Sequence, residues 1–358
     1  MNLKNLNGPQ SFKSAVLLTF LTVVIFAFST LSDPIFKSAD AQIPQKDCSR
    51  ASIGISPLND LSAPEDYHGE EGGLYGNGMN SLSPLDPHQV EAYRATQNIR
   101  PRDQEGIVDE FDGKIGFISI GMSNTRYEFD VFQRIAEVEK SGSVILVNGA
   151  QPGMVASEWA NPEQSNDPWN FLADSLRDAG LTPAQVQIVW LKQANAAPQP
   201  GIDDFPIYAQ QLRNDMAVIV KKVKNFYPNV KLLYLSSRIY GGYSQGPLNP
   251  EPFAYEGAYS VRWLIDDQIN GGGTNGINYE NAPVLLWGPY LWADGTMRRS
   301  DGLVWNCEDF VNDGVHPSES GKQKVADILL NFFTTDSMAR VWFLPKHNFY
   351  LPAVQSSK

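Results

Sequence analysis

Residues 114–149 read KIGFISIGMSNTRYEFDVFQRIAEVEKSGSVILVNG. The apolar run at 114–121 indicates a buried β-strand, the amphipathic segment at 126–140 a helix, and the apolar run at 143–149 a second strand. Two buried strands joined through a helix are typical of parallel pairing, because parallel neighbours need a crossover connection. This unit predicts an α/β fold.

The same alternation continues toward the C-terminus. Further strands are predicted at 186–193, 230–237 and 282–288, and further helices at 170–180, 205–229, 256–270 and 318–333. The pattern predicts one central, mostly parallel five-stranded sheet with helices on both faces, a three-layer αβα sandwich. In such sheets ligands bind at the carboxyl ends of the strands, so residues that directly follow a strand are the first candidates for a site.

The predicted organisation has four parts. Residues 1–41 form an export segment, and residues 42–112, rich in Pro, Gly, Asn and Asp, form an irregular extension with a short helix at 87–97. Residues 113–335 form the α/β domain, and residues 336–358 form an apolar tail that packs on it.

The export segment contains AVLLTFLTVVIFAF (15–28), which follows Lys4 and Lys13 and precedes the small residues ADA (39–41). This pattern predicts a cleaved signal peptide, and an uncleaved membrane anchor is the competing interpretation. Either one places the protein outside the cytoplasm, with a membrane as partner only through an uncleaved segment. In an exported protein Cys48 and Cys307 are candidates for a disulfide, with two free buried thiols as the alternative.

Composition excludes several classes of function. The formal net charge of the 358 residues is −12 and no basic run is present, which argues against nucleic acid and anionic membrane surfaces as partners. The two cysteines and four histidines have no zinc-type spacing, so no metal site is predicted.

The sequence DGVHP (313–317) places Asp313 and His316 three residues apart, just ahead of the last helix. At this spacing a carboxylate can hold an imidazole in one tautomer and stabilise its protonated form, which is two thirds of a nucleophilic triad. A solvated turn that caps the helix is the alternative. Asp309 is a less favourably spaced orienter, and the other histidines, His68, His88 and His347, are expected to be surface or packing residues.

Ser123 directly follows the first strand and precedes a helix. Its hydroxyl is therefore expected at the carboxyl edge of the sheet, with the N–H groups and positive dipole end of the helix behind it. Helix capping by Ser123 or Asn124 is the alternative role. Ser157 follows no strand and is a weaker candidate nucleophile.

These motifs resemble those of the SGNH hydrolase superfamily, the GDSL-like esterases and lipases, across residues 113–335. Gly121-Met122-Ser123 is similar to its Gly-Asp-Ser block, and DGVHP is similar to its Asp-x-x-His block. Gly153 and Asn195 match the glycine and asparagine of the two intervening blocks. Met122 stands where the family has aspartate, and Gln193 where it usually has glycine.

The resemblance implies a flavodoxin-like SGNH fold and a Ser-His-Asp triad without a cofactor. Ser123 would be the nucleophile, His316 the general base and Asp313 its orienter. The Ser123 and Gly153 N–H groups and the Asn195 amide would form the oxyanion hole.

The resulting hypothesis is an exported serine esterase that hydrolyses an acetyl or other short-chain ester, on a small molecule or a glycan. Export, the acidic charge and tryptophans placed after strands or in loops favour a glycan. Most of these tryptophans are expected in the core, and some are predicted to form a stacking platform for sugar rings: Trp159, Trp169, Trp190, Trp287, Trp292 and Trp305. A non-catalytic protein that binds a glycan or a cell surface is the alternative, and the same triad would also serve acyl transfer to a sugar.

Overall fold

The computed structural model describes residues 45–345. The predicted export segment at 1–41 and the end of the tail at 346–358 lie outside the described residues. Within residues 45–345 no helix is both long enough and apolar enough to cross a bilayer.

A single sheet of five strands lies at the centre of the described residues. The strands are β1 (Ile115–Gly121), β2 (Val144–Asn148), β3 (Val186–Lys192), β4 (Leu232–Ser236) and β5 (Val284–Trp287), in the order β2-β1-β3-β4-β5. Every neighbouring pair is parallel, and β1, β3, β4 and β5 are buried along their whole length. The apolar runs form these strands because both sheet faces are covered. The predicted α/β sandwich is confirmed.

Eight α-helices accompany the sheet in residues 45–345. In chain order they are α1 (Pro87–Gln97), α2 (Ser123–Ala136), α3 (Ala156–Ala160), α4 (Pro168–Asp178), α5 (Ile207–Phe226), α6 (Phe253–Ile269), α7 (Glu319–Thr335) and α8 (Ala339–Phe343). Helix α7 packs between α2 and α8 on one face, and α5 packs between α3 and α6 on the other. The sheet is therefore the middle layer of three.

The strand order reverses direction at β1. The chain leaves β1 toward β2 on one side, and later returns to place β3 on the other side. Connections diverge at such a point and leave a crevice at the carboxyl ends of the two strands. The crevice between the ends of β1 and β3 is where the candidate residues are expected to meet.

Residues 45–112 are largely irregular apart from α1, and their beginning is fastened to the loop before α7. Cys48 and Cys307 form a disulfide with a Cα–Cα distance of 5.4 Å. Lys46 Nζ donates to the carbonyl oxygens of Cys307 (2.7 Å) and Phe310 (2.6 Å). The backbone of Lys46 also donates to Asn312 O, at 2.6 Å. This N-terminal strap, residues 45–50, lies directly against the loop that carries Asp313.

Candidate active site

A tight turn between β1 and α2 positions Ser123. Gly121 ends the strand, and a Cβ there would lie 2.3 Å from Thr125 Oγ1 and 2.5 Å from Lys192 O, so only glycine fits. Met122 is extended and gives α2 no side-chain cap. The predicted helix start at 126 is therefore three residues too late, because α2 begins at Ser123 itself.

The side chains of Ser123, His316 and Asp313 form one hydrogen-bonded chain. Ser123 Oγ lies 2.7 Å from His316 Nε2, and His316 Nδ1 lies 2.6 Å from Asp313 Oδ2. The capping alternative for Ser123 is not what the structure shows, since its hydroxyl contacts the imidazole. Asn124 does not cap either, because its amide donates to Val315 O at 3.0 Å.

Hydrogen bonds fix the charge of Asp313. Burial raises the pKa of its carboxyl, but donation by the His316 ring and by the backbone N–H groups of His316 and Val315 outweighs burial and lowers the pKa to about 2. The group is thus a carboxylate at neutral pH and accepts hydrogen bonds only. Nδ1 of His316 must then carry a proton, which leaves Nε2 free to accept the Ser123 proton.

The turn that carries Asp313 and His316 is held in place by its neighbours. Gly314 has φ +69°, and a Cβ there would lie 2.5 Å from Tyr243 O. Both the backbone angle and the lack of space therefore favour glycine at this position. Residue 310 bridges to 317 across the turn. The side-chain amide of Asn124, which lies on α2, donates a hydrogen bond to Val315 O. These backbone and side-chain contacts fix the turn, and the turn holds the His316 imidazole next to Ser123.

None of the rival residues that the structure describes hydrogen-bonds to His316, whose ring contacts Ser123 and Asp313. Asp309 binds the Lys324 ammonium and accepts from Ser320 Oγ at 3.0 Å, so it does not orient His316. The backbone of Ser157 donates to Asn195 Oδ1 at 3.0 Å.

His88 is buried between Tyr279 Oη and Leu285 O, both 2.8 Å from its ring nitrogens. His347 lies outside the described residues.

The three expected oxyanion donors line one cavity of about 270 Å³ together with Ser123 Oγ and His316. Ser123 is the first residue of α2, and the N–H groups of the first turn have no partner within a helix. Gly153 has φ +82°, in the left-handed region that favours glycine, and a Cβ there would meet nothing within 4 Å. The backbone angle alone therefore requires glycine. Neither N–H donates a hydrogen bond to any residue within 45–345.

Asn195 enters this cavity with much of its hydrogen-bonding capacity already used. Its Oδ1 accepts from Ser157 N, and its Nδ2 donates to Asp215 Oδ2 at 2.7 Å. Its backbone is fixed by Tyr208 Oη. An amide nitrogen has two hydrogens, so one N–H of Asn195 remains for a substrate oxygen.

Two charged features near the site were not predicted from the sequence. Glu128 of α2 and Lys192 of β3 form an ion pair with both side chains fully buried. Burial raises the pKa of Glu128 and lowers that of Lys192, and each charge opposes the shift of the other. Arg238 lines the cavity from the end of β4 and is 3% exposed. A polar residue directly after a buried strand was the available signal for Arg238.

The predicted aromatic platform is wrong. All six tryptophans are at most 7% exposed: Trp159, Trp169, Trp190, Trp287, Trp292 and Trp305. None of them lines the cavity at Ser123. Their indole N–H groups have partners inside the protein, as Trp159 does with Gly121 O at 3.2 Å, so they serve the core.

Within residues 45–345 no three His, Cys, Asp or Glu side chains are arranged to hold a metal ion. Comparison of the sequence with protein-family models gives no match, and comparison with curated proteins gives none either.

Several solved structures resemble this chain. A lipase from a goat rumen metagenome is 13% identical, with 61% of this chain and 98% of that chain covered and a TM-score of 0.35. The periplasmic domain of a lipopolysaccharide acetyltransferase from Salmonella serovar Paratyphi A is 14% identical, with coverages of 70% and 96% and a TM-score of 0.34. A protein described as a GDSL-like lipase from Parabacteroides merdae is 12% identical, with coverages of 68% and 99% and a TM-score of 0.34.

A lipase, a GDSL-like lipase and a lipopolysaccharide acetyltransferase domain are thus among the solved structures that this chain resembles. At these identities and TM-scores the likeness carries no argument about function.

Proposed function

We propose that this protein is a serine esterase that hydrolyses short-chain acyl esters through an acyl-enzyme on Ser123. The observation that carries the proposal is the unbroken chain from Ser123 Oγ to His316 Nε2 and from His316 Nδ1 to the Asp313 carboxylate, at 2.7 and 2.6 Å. A nucleophile, a base and an orienter at hydrogen-bonding distance are the signature of nucleophilic catalysis.

In the acylation step, His316 Nε2 takes the Ser123 proton while Oγ attacks the ester carbonyl carbon. The carbonyl electron pair moves onto oxygen, where the Ser123 and Gly153 N–H groups and the free Asn195 N–H stabilise it. Each such donor is worth about 3 kcal/mol of barrier. The oxyanion then collapses, the alkoxide leaves, and it takes the proton from Nε2.

Water completes the cycle. His316 Nε2 removes its proton as the water oxygen attacks the acyl carbon, and Ser123 Oγ recovers that proton when it leaves. The Asp313 carboxylate stabilises the imidazolium in both halves. The cavity volume of about 270 Å³ fits an acetyl or other short acyl group better than a long chain.

We further propose that the protein acts outside the cytoplasm, on the basis of the apolar segment at 15–28 and the paired cysteines. The buried tryptophans give a glycan substrate no support, and the glycan stays a prediction that rests on the export segment and the acidic charge. The mutual contact of the three side chains favours the enzyme over the non-catalytic alternative, and the following test separates the two.

The test is hydrolysis of p-nitrophenyl acetate and labelling with a fluorophosphonate probe. We expect the purified protein to hydrolyse the ester and to be labelled by the probe. In Ser123→Ala labelling should be lost and kcat should fall by about 10³-fold or more, as expected when a triad acts as a unit. Ser157→Ala is the matched control and should keep both. Unchanged hydrolysis in Ser123→Ala would overturn the assignment. Product analysis with an added alcohol separates hydrolysis from acyl transfer.

A further inference from the structure

Arg238 presents a buried positive charge to the cavity that contains Ser123. It follows β4, is 3% exposed and lines the same cavity as His316. Its Nε is buried without a hydrogen-bond partner, and its Nη2 reaches Val315 O only at 3.4 Å. Among the described residues it takes part in no ion pair, although eleven other ion pairs are formed there.

Three carboxylates attract Arg238 through space, those of Glu128, Glu251 and Asp313, and each is already engaged, Asp313 with His316. Glu128 binds the Lys192 ammonium, with one Nζ–Oε1 distance of 2.6 Å. Glu251 accepts from Trp292 Nε1 and Gly241 N, both at 2.7 Å. All three groups act on Arg238 only through space. The guanidinium is therefore left with donors that no protein group uses.

Burial of a charged donor without an acceptor is costly, and native structures seldom tolerate it without a reason. A guanidinium presents a planar fork of N–H donors that matches a carboxylate with two parallel hydrogen bonds. The cavity is small, so a group bound at Arg238 lies within a few bonds of an ester carbon held at Ser123.

We propose that Arg238 binds a carboxylate carried by the ester substrate, so that the enzyme prefers anionic esters over neutral ones. This inference rests on the proposed esterase function and adds the class of substrate. The carboxylate belongs either to the acyl group, as in a dicarboxylic acid monoester, or to the alcohol, as in the ester of a hydroxy acid. Both sources supply the same chemistry to the guanidinium.

Two pairs of esters separate these sources. On the acyl side, mono-4-nitrophenyl succinate is compared with 4-nitrophenyl butyrate, and on the alcohol side, 3-acetoxybenzoate with 3-acetoxybenzamide. We expect kcat/KM to favour the charged member at least tenfold in one pair, chiefly through KM. The pair that shows the preference identifies the side of the ester that carries the carboxylate.

Arg238→Gln should reduce that preference by about 10- to 100-fold, as expected for the loss of hydrogen bonds to a charged group. Arg238→Lys should retain part of it, because the charge remains. Arg298→Gln, at an exposed arginine whose guanidinium donates to Gly302 O, is the matched control and should leave the preference unchanged. A ratio of two kcat/KM values does not depend on the folded fraction, so partial unfolding of a variant does not affect the result.

Absence of a preference in the wild-type protein for both pairs would overturn the inference while leaving the esterase intact. An equal loss on charged and neutral esters in Arg238→Gln would also overturn it, because that result indicates a general donor to the oxyanion. Failure of the wild-type protein to hydrolyse any of the four esters would instead count against the proposed function.

Discussion

His316 depends on Asp313 for its tautomer, because the carboxylate accepts the Nδ1 hydrogen at 2.6 Å. In Asp313→Asn the side chain can turn an N–H toward the ring, which favours the tautomer with its proton on Nε2 and blocks acceptance from Ser123. We expect kcat to fall by about 10³- to 10⁴-fold, with the fold intact. The measurement is p-nitrophenyl acetate hydrolysis per folded molecule, in the wild type and in the variant.

The neighbouring carboxylate provides the comparison for that experiment. Asp309 binds Lys324 and does not contact the imidazole, so Asp309→Asn should lower kcat per folded molecule by less than tenfold. Equal losses in the two variants would contradict the assigned role of Asp313.

The same carboxylate contributes to stability in a way that depends on pH. Its pKa in the folded protein is about 2, below the ordinary value of 3.8, so the unfolded chain binds a proton more tightly. Stability from this group is present above pH 4 and is lost as the pH falls toward 2. We expect the difference in unfolding free energy between the wild type and Asp313→Asn to shrink by about 2 kcal/mol over this range, measured by denaturant titration. A difference that stays constant from pH 6 to pH 2 would contradict the shifted pKa.

At the scale of elements, the buried pair of Glu128 and Lys192 joins α2 to β3 beside the site. Removal of one partner leaves an uncompensated charge in the core. Lys192→Met should therefore cost about 3–5 kcal/mol of unfolding free energy, whereas Glu128→Leu combined with Lys192→Met should recover most of it. Denaturant unfolding of the three proteins tests this, and a double variant no more stable than the single one would contradict it.

The strands were predictable because each is an apolar run bounded by polar residues, and burial on both faces leaves no alternation to confuse the pattern. The helix boundaries were less predictable than the strands. The start of α2 at Ser123 depends on the extended backbone of Met122, and Met122 lies in a turn closed by the contact of Gly121 with Lys192 O. That contact joins residues 71 positions apart and has no local signature.

The tryptophans show the same limit. A tryptophan after a strand satisfies its N–H either from solvent or from a carbonyl inside the core, and sequence does not separate these outcomes. Trp305 donates to Leu291 O at 2.8 Å and is fully buried. The partner carbonyls come from loops whose paths depend on the whole fold.

At the scale of the whole molecule, the disulfide closes a loop with a sequence separation of 259 residues. A crosslink of this span restricts the unfolded chain strongly. We expect Cys48→Ser combined with Cys307→Ser to lower the unfolding free energy by about 2–5 kcal/mol. Dithiothreitol should lower the stability of the wild type by a similar amount and leave the double variant unchanged. Insensitivity of the wild type to reductant would contradict the contribution.

The edge of the sheet at which Ser123 lies followed from fold topology, because residues after parallel strands share that edge. Asp313 and His316 were found by spacing, and Ser123 by its position after β1. The position of Arg238 after β4 marks it as a candidate, but its distinguishing property, the lack of a carboxylate partner, is not readable from the sequence. That property depends on where Glu128 and Glu251 direct their oxygens in three dimensions.

The N-terminal strap has a practical consequence for anyone who shortens this protein. Lys46 holds two carbonyls of the loop that leads to Asp313, and Cys48 is bonded to the same loop. Truncation of an irregular N-terminal extension is usually harmless. Here it would remove the contacts that hold the loop before α7, and this loop carries Asp313 and His316. A purification tag therefore belongs upstream of residue 45, with the strap left intact between tag and enzyme.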